Sequence, residues 1–135
     1  MVIKRLVTEG ELRTIVPLVA EFFTIVNPSY TPEAFWRWTM QPNNYIMVQY
    51  TDTYIPVAYV AFCFHPAIGG NYIFMFQSYA QRGIDTTMLW KWLMRMSDTL
   101  KLPLLTHTNR SEKVLERKYG FKRDSVIMVR QPQEE

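Results

Sequence analysis

The stretch from Thr53 to Gln81 constrains the fold most strongly, because it contains no Asp, Glu, Lys or Arg. Two prolines and a Gly-Gly pair interrupt it, so it does not predict the single helix of about 20 apolar residues that crosses a membrane. Its β-branched and aromatic residues instead predict two strands, Val57 to Phe64 and Tyr72 to Tyr79, with a loop at His65 to Gly70. Both faces of these strands are apolar, which predicts a sheet that is covered on both sides.

The residues before this stretch predict two strands and two helices. Val2 to Val7 is β-like, and the segment from Thr8 to Glu11 has the spacing of a capping box that opens an amphipathic helix. Pro17 is expected to kink that helix or to move its start. The Thr31-Pro32 pair opens a second, short helix, and Tyr45 to Tyr50 forms the next strand.

The residues after it predict two helices that alternate with strands. Asp85 to Leu100 is the clearest helix, since its apolar side chains share one face. Leu102 to Thr108 predicts a buried strand, and Asn109 to Tyr119 predicts a helix. Gly120 ends that helix, and Phe121 to Arg130 forms the final strand. A strand, a helix and a strand in succession require a parallel pair with a right-handed crossover.

The resulting order, β-α-α-β-β-β-α-β-α-β, predicts an α/β fold in which a mixed, mostly antiparallel sheet has helices on both faces. The length of 135 residues fits one domain, assigned to residues 1–130, and residues 131–135 are expected to form a frayed tail. Hydrophobic residues make up 48% of the chain and charged residues 20%, which excludes a disordered protein.

Cysteine usage and the first residues bear on compartment and metal binding. Cys63 is the single cysteine, so the chain forms no internal disulfide and a zinc site would lack sulfur ligands. The N-terminal sequence MVIKRLVTEGEL lacks the apolar run of a signal peptide. These features predict a cytoplasmic protein without a metal.

The net charge of +3 is concentrated toward the end of the chain. The segment from Asn109 to Arg130 contains seven basic residues (Arg110, Lys113, Arg117, Lys118, Lys122, Arg123 and Arg130) and three acidic ones (Glu112, Glu116 and Asp124). This balance predicts either an anionic ligand or a solvated helix face. It is too small to favour nucleic-acid binding.

Two segments resemble the GNAT N-acetyltransferase superfamily. The segment from Asn109 to Phe121 is similar to the family's N-x-x-x-x-x-L-Y-x-x-x-G-F pattern. Four residues fall in register: Asn109, Leu115, Gly120 and Phe121. The segment from Ala80 to Asp85 lies between a strand and an amphipathic helix, as does the family's acyl-CoA loop, Q/R-x-x-G-x-G/A. The resemblance implies the GNAT fold and transfer of an acetyl group from acetyl-CoA to the amine of a small molecule or a protein.

The resemblance also implies where the acetyl donor binds. The loop glycine lets the backbone approach the pyrophosphate, which the first N–H groups of the helix and its dipole attract. Asp85 departs from the pattern, because a carboxylate that caps the helix repels a phosphate and takes its place. Backbone groups of the preceding strand are implied to pair with the pantetheine arm. The implied acetyl-CoA site comprises Met75, Gln77, Gln81, Arg82, Gly83, Ile84, Asp85, Thr86, Asn109 and Tyr119.

Acyl transfer to an amine requires a base for the ammonium and an acid for the departing thiolate. The resemblance implies that the acyl group lies in a gap, called here the acyl gap, between the predicted strands Tyr72 to Tyr79 and Leu102 to Thr108. His107, near the end of the second of these strands, is the candidate base. Glu116 is at the position where the family often has a tyrosine that protonates the leaving thiolate. Tyr79 is another candidate for this acid. Glu33 is a candidate for the acceptor side. Each of the four also has a purely structural interpretation in the core, in a surface ion pair or at a helix dipole.

Three functions therefore stay open. The first is acetyl transfer to an unidentified amine. The second is a GNAT-fold binding or structural subunit that has lost the donor site, an alternative that Ala80, Asp85 and Glu116 favour. The third is transfer from another donor or to a nucleic-acid base. Eight aromatic residues cluster in the first half of the chain: Tyr30, Phe35, Trp36, Trp38, Tyr45, Tyr50, Tyr54 and Tyr59. Some of them are expected in the core, and those left exposed predict an apolar surface suited to a homodimer or to docking.

Overall fold

A five-stranded mixed sheet organises the computed structural model, which describes residues 1–67, 70–106, 112–122, 130 and 132. The strands are β1 (Val2–Leu6), β2 (Asn44–Tyr50), β3 (Pro56–Ala67), β4 (Gly70–Ala80) and β5 (Leu104–Thr106). They lie side by side in chain order. Neighbours from β1 to β4 are antiparallel, whereas β4 and β5 are parallel. The predicted antiparallel meander and the predicted parallel pair are both confirmed.

Helices cover both faces of this sheet. Those in the described part of the chain are α1 (Glu9–Arg13), α2 (Val16–Ile25), α3 (Pro32–Thr39), α4 (Thr87–Leu100) and α5 (Glu112–Tyr119). Side chains of α1, α2 and α3 pack on one face, and those of α4 and α5 pack on the other. The predicted α/β fold is therefore confirmed. Among the described helices, none combines the length and the apolar composition that a membrane crossing requires.

The core on the α1–α3 face is rich in aromatic rings. Phe35 lies at the centre of this core and is 0% exposed. Its ring centroid is 6.3 Å from the ring centroids of Tyr59 and Phe76. Trp38 stacks on Phe76 at 4.7 Å, which joins α3 to β4. Most of the aromatic residues of the first half thus pack into the core or are half-buried, as expected for part of this set, and Tyr54 is the exposed one among the eight, at 70%.

The N-terminal segment forms two helices where the sequence predicts one. Pro17 lies in the first turn of α2, where its missing N–H costs nothing, so the expected change in helix start is confirmed. The capping box before α1 is also confirmed: Thr8 Oγ1 accepts the Glu11 N–H at 3.1 Å, and Glu11 Oε1 accepts the Thr8 N–H at 3.2 Å. Thr31 caps α3 in the predicted way, accepting the Ala34 N–H at 3.1 Å.

Three predicted boundaries differ in the structure. The loop expected from His65 to Gly70 is wrong at both ends, because β3 continues to Ala67 and β4 begins at Gly70 rather than at Tyr72. His65 stacks on Tyr72 across this pairing at 5.2 Å. Strand β5 begins at Leu104 rather than at Leu102. Leu102 is held to the end of α4 instead, since its N–H donates to the Ser97 carbonyl at 3.1 Å and its carbonyl accepts from Ser97 Oγ at 2.5 Å.

The third difference is at α4, which begins at Thr87 rather than at Asp85. Helix α5 ends as predicted, with Gly120 in the left-handed region at a φ of 71°. His107 and Asn109 lie outside the described residues, as do most of the predicted final strand from Phe121 to Arg130 and most of the predicted tail.

Candidate functional site

A cleft of about 730 Å³ opens along the edge of β4. The described pairing of β4 with β5 ends at Met75 and Thr106, whereas β4 continues to Ala80. The cleft lies beside this continuation, in the region where the sequence predicts the acyl gap. Its lining includes side chains from the α2–α3 connection, β4, α4 and α5: Asn27, Tyr30, Phe76, Gln77, Tyr79, Trp90 and Leu115.

A β-bulge shapes the wall of the cleft. Ala61 pairs with Gln77 and Phe62 pairs with Met75, so Phe76 is the extra residue of β4. A bulge turns an added side chain toward one face of a sheet, and bulges are frequent next to active sites. Here Phe76 packs in the aromatic core while Gln77, also on the cleft wall, bonds to side chains of the same face.

Gln77 is the centre of a chain of neutral hydrogen bonds. Tyr30 donates its hydroxyl proton to Gln77 Oε1, and Gln77 Nε2 donates to the Tyr59 hydroxyl. Burial raises the pKa of Tyr30 to about 12, and it also raises the pKa of Tyr59. Both phenols are therefore neutral at physiological pH, and the buried amide of Gln77 is satisfied on both sides.

A second network joins α2 to the end of β4. Tyr79 donates its hydroxyl proton to Glu21 Oε1 at 2.6 Å, and Gln81 Nε2 donates to Glu21 Oε2 at 3.2 Å. Burial, together with the Glu21 carboxylate, raises the pKa of Tyr79 to about 12. Glu21 is not among the site residues predicted from the sequence. The sequence does contain a clue to its role, because Glu21 is the one charged residue in the helix VPLVAEFFTI.

The loop between β4 and α4 is fixed to the sheet at both of its ends. Gln81 N–H donates to the Val57 carbonyl at 2.9 Å, and Gln49 Nε2 donates to the Asp85 carbonyl at 2.9 Å. Gly83 has a φ of 83°, which only glycine adopts without strain. The glycine that the sequence analysis assigned to this loop therefore has a conformational role.

Asp85 lies just before α4 and binds its first residue. The predicted N-cap at Asp85 is wrong by one position, since Thr86 is the N-cap residue. Nevertheless Asp85 Oδ1 accepts the Thr87 N–H at 2.9 Å and the Thr87 hydroxyl at 2.6 Å. These hydrogen bonds lower the pKa of Asp85, and Lys118 and Lys91 lower it further through their positive charge. Two lysines thus lie close enough to this loop to act on its carboxylate.

The other predicted site residues occupy different places. Glu33 and Glu116 are exposed and lie away from the described lining of the cleft. Tyr119 stacks on Trp90 at 4.8 Å, and Met75 is buried against α4 and α5. Arg82 is exposed in the loop. Within the described residues, His, Cys, Asp and Glu side chains form no group of three that could hold a metal ion.

The amino-acid sequence matches no protein-family model and no curated protein. The fold, in contrast, matches solved structures over nearly their whole length. A probable acetyltransferase is 13% identical with a TM-score of 0.77, over 100% of this chain and 99% of that chain. The ribosomal-protein-alanine N-acetyltransferase from Brucella melitensis biovar Abortus 2308 is 16% identical with a TM-score of 0.73, over 97% and 100% of the two chains.

A third structure extends this similarity to another kind of acetyltransferase. The aminoglycoside acetyltransferase meta-AAC0020, from an uncultured soil metagenomic sample, is 12% identical with a TM-score of 0.71. The similarity covers 98% of this chain and 96% of that chain. Identities this low establish the arrangement of helices and strands rather than the chemistry. The chain therefore has the fold of the GNAT acetyltransferases.

Proposed function

We propose that this protein is a GNAT N-acyltransferase that moves an acetyl group from acetyl-CoA to the amine of a small molecule or a protein in the cytoplasm. The observation that carries the proposal is the position of the cleft within the GNAT fold. It runs from the α2–α3 connection past the end of β4, beyond the described pairing of β4 with β5. The loop that precedes α4 begins at that end of β4, so a donor bound at the loop would reach the cleft directly.

The loop from Gln81 to Thr86 would hold the pyrophosphate of acetyl-CoA. Its backbone turns at Gly83 toward the N-terminus of α4, an arrangement that suits an anion. Positive charge is available from Arg82 in the loop and from Lys91 and Lys118, which act on Asp85. Acetyl-CoA supplies the activated acyl group when bound, and the residues of this chain hold and orient it.

The cleft walls would orient the acceptor amine. Tyr30 and Phe76 supply aromatic surface, and Tyr79 supplies a neutral hydroxyl because its pKa is raised to about 12. Because this hydroxyl keeps its proton at physiological pH, it holds the proton that the predicted acid role of Tyr79 requires. His107 as base stays a prediction, as do the roles of Asn109, Glu33 and Glu116.

A second candidate function is a binding or structural subunit with the GNAT fold. The specific observation in its favour is that the Asp85 carboxylate already accepts the first N–H of α4, which a phosphate would need. Such a subunit would dock a partner or a second copy of itself. A homodimer would use apolar surface such as Tyr54 and Ile55, which are 70% and 58% exposed.

Thermal unfolding with and without millimolar acetyl-CoA separates these two functions. A ligand at 100 times its Kd stabilises a protein by about 2.7 kcal/mol, which raises the Tm by several degrees. The Gly83→Ala variant should lose this shift because alanine is strained at a φ of 83°. The matched control is Gly10→Ala, where the added Cβ meets only ordinary contact at 3.9 Å. No shift in the unsubstituted protein would overturn donor binding and favour the subunit.

A further inference from the structure

Glu21 is a carboxylate whose described hydrogen bonds come from neutral donors. It is half-buried on α2, and its two oxygens accept from the neutral donors Tyr79 and Gln81. Among the ion pairs of the described residues, Glu9, Glu11 and Asp52 each have a cationic partner, whereas Glu21 is in none. These two hydrogen bonds satisfy the carboxylate, and one of them comes from Tyr79, a residue of the cleft lining.

Tyr79 connects this carboxylate to the cleft. Tyr79 is part of the cleft lining, and its hydroxyl donates a hydrogen bond to Glu21 Oε1, 2.6 Å away. A phenol oxygen that donates one hydrogen bond can still accept another from a group inside the cleft. The edge-to-face contact with Phe22, at 5.9 Å between centroids, holds the ring in this orientation.

We propose that Tyr79 and Glu21 form a proton relay for acyl transfer, with Tyr79 the catalytic residue and Glu21 the residue that positions it and stores the proton. This inference rests on the proposed function. As the acceptor nitrogen bonds to the acyl carbon, its N–H becomes acidic and passes its proton to Tyr79 Oη. The original hydroxyl proton of Tyr79 moves at the same time to Glu21 Oε1.

The second half of the relay restores both residues. When the bond between the acyl carbon and sulfur breaks, the proton returns from Glu21 through Tyr79 to the departing sulfur. For an acceptor that enters as the neutral amine, one N–C bond forms, one C–S bond breaks and one proton moves from nitrogen to sulfur. An acceptor that arrives as an ammonium first loses its extra proton to water. Gln81 adds a link to the donor side, because this residue of the loop before α4 holds the other Glu21 oxygen.

Phenol titration tests the coupling in the protein alone. Tyr59 is the neighbouring titratable group on β3, with its ring 6.4 Å from that of Tyr79. Absorbance at the phenolate wavelength is followed from neutral to alkaline pH in the unsubstituted protein, in Glu21→Gln and in Tyr79→Phe. In Glu21→Gln, the loss of the carboxylate charge should lower the pKa of the Tyr79 phenol. That phenol is identified as the one whose titration is missing in Tyr79→Phe. An unchanged titration of that phenol overturns the relay.

Release of coenzyme A thiol, with hydroxylamine as a small acceptor, tests the chemistry. General acid–base catalysis contributes about 10²–10⁴-fold, so Glu21→Gln and Tyr79→Phe should each lower kcat by about 100-fold with the KM for acetyl-CoA unchanged. The double variant should be no slower than either single variant, because the loss of either residue already stops proton transfer along the relay. Glu9→Gln, an exposed carboxylate on α1, is the matched control and should keep full activity.

The outcomes separate the relay from the proposed function. If the unsubstituted protein binds acetyl-CoA and releases thiol while Glu21→Gln keeps its kcat within threefold, the relay is wrong and acyl transfer stands. If the losses of the two single variants multiply in the double variant, the relay is also wrong. If the unsubstituted protein neither binds acetyl-CoA nor releases thiol, both the relay and the proposed function are overturned.

Discussion

Replacing Asp85 with asparagine should tighten the binding of acetyl-CoA about eightfold. The Asp85 carboxylate is exposed and accepts the Thr87 N–H at 2.9 Å, so a phosphate at the start of α4 would lie about 4 Å from its charge. In water, the repulsion between two like unit charges at that separation weakens the binding of one of them about fivefold. A pyrophosphate carries two such charges, and the ~8 Å Debye length at physiological salt removes about 40% of the repulsion. Asparagine keeps an oxygen for the hydrogen bond while it removes the charge.

The assay is isothermal titration of acetyl-CoA at physiological and at high salt. Asp98→Asn is the matched control, because it removes the same charge near the other end of α4, about 16 Å from Thr87. The gain from Asp85→Asn should shrink at high salt, and the control should change Kd less than twofold. An equal gain in both variants would mean that net charge decides binding. An unchanged Kd for Asp85→Asn would mean that the phosphates bind elsewhere.

Three further predictions concern stability, each followed by urea unfolding. Phe35→Ala should cost about 3–5 kcal/mol because the ring is fully buried, and Phe35→Leu clearly less; equal losses would contradict the cavity argument. Tyr59→Phe should cost about 1–3 kcal/mol by leaving the buried Gln77 amide without its acceptor, whereas the exposed control Tyr54→Phe should be neutral. The ion pair with Lys4 and the backbone N–H groups of Thr8 and Val7 lower the pKa of Glu11 from 4.5 to about 2. The stability lost in Glu11→Gln should therefore be present above pH 4.5 and vanish as the pH falls toward 2; a constant difference would contradict this linkage.

Most of the fold could be predicted because the strongest signals are local. The capping box at Thr8, the Thr31-Pro32 start of α3 and the uncharged hairpin strands each depend on residues near one another in the chain. The boundary errors have the opposite origin. His65 belongs to β3 because a partner strand pairs with it, and Leu102 leaves β5 because Ser97 binds it. Tertiary contacts of this kind leave no mark in local propensity.

The site was less predictable than the fold, because its networks join residues that are distant in the chain. Tyr79, Gln81 and Asp85 could be predicted because they lie in or next to the loop before α4. Glu21 could not, since its role depends on a contact with Tyr79 that spans 58 positions. A lone charge within an apolar helix was the available clue, and periodicity alone assigns such a residue to the solvent face.

The attachment of the α4 loop to the sheet has a kinetic consequence. Gln81 is bonded to the backbone of β3, and Asp85 is bonded to the Gln49 side chain of β2, which is 0% exposed. A loop held at both ends already has the shape that a ligand meets, so little chain entropy is lost on association. Sequence changes in this loop should then alter mainly how long a ligand stays, while the surrounding cations govern how fast it arrives.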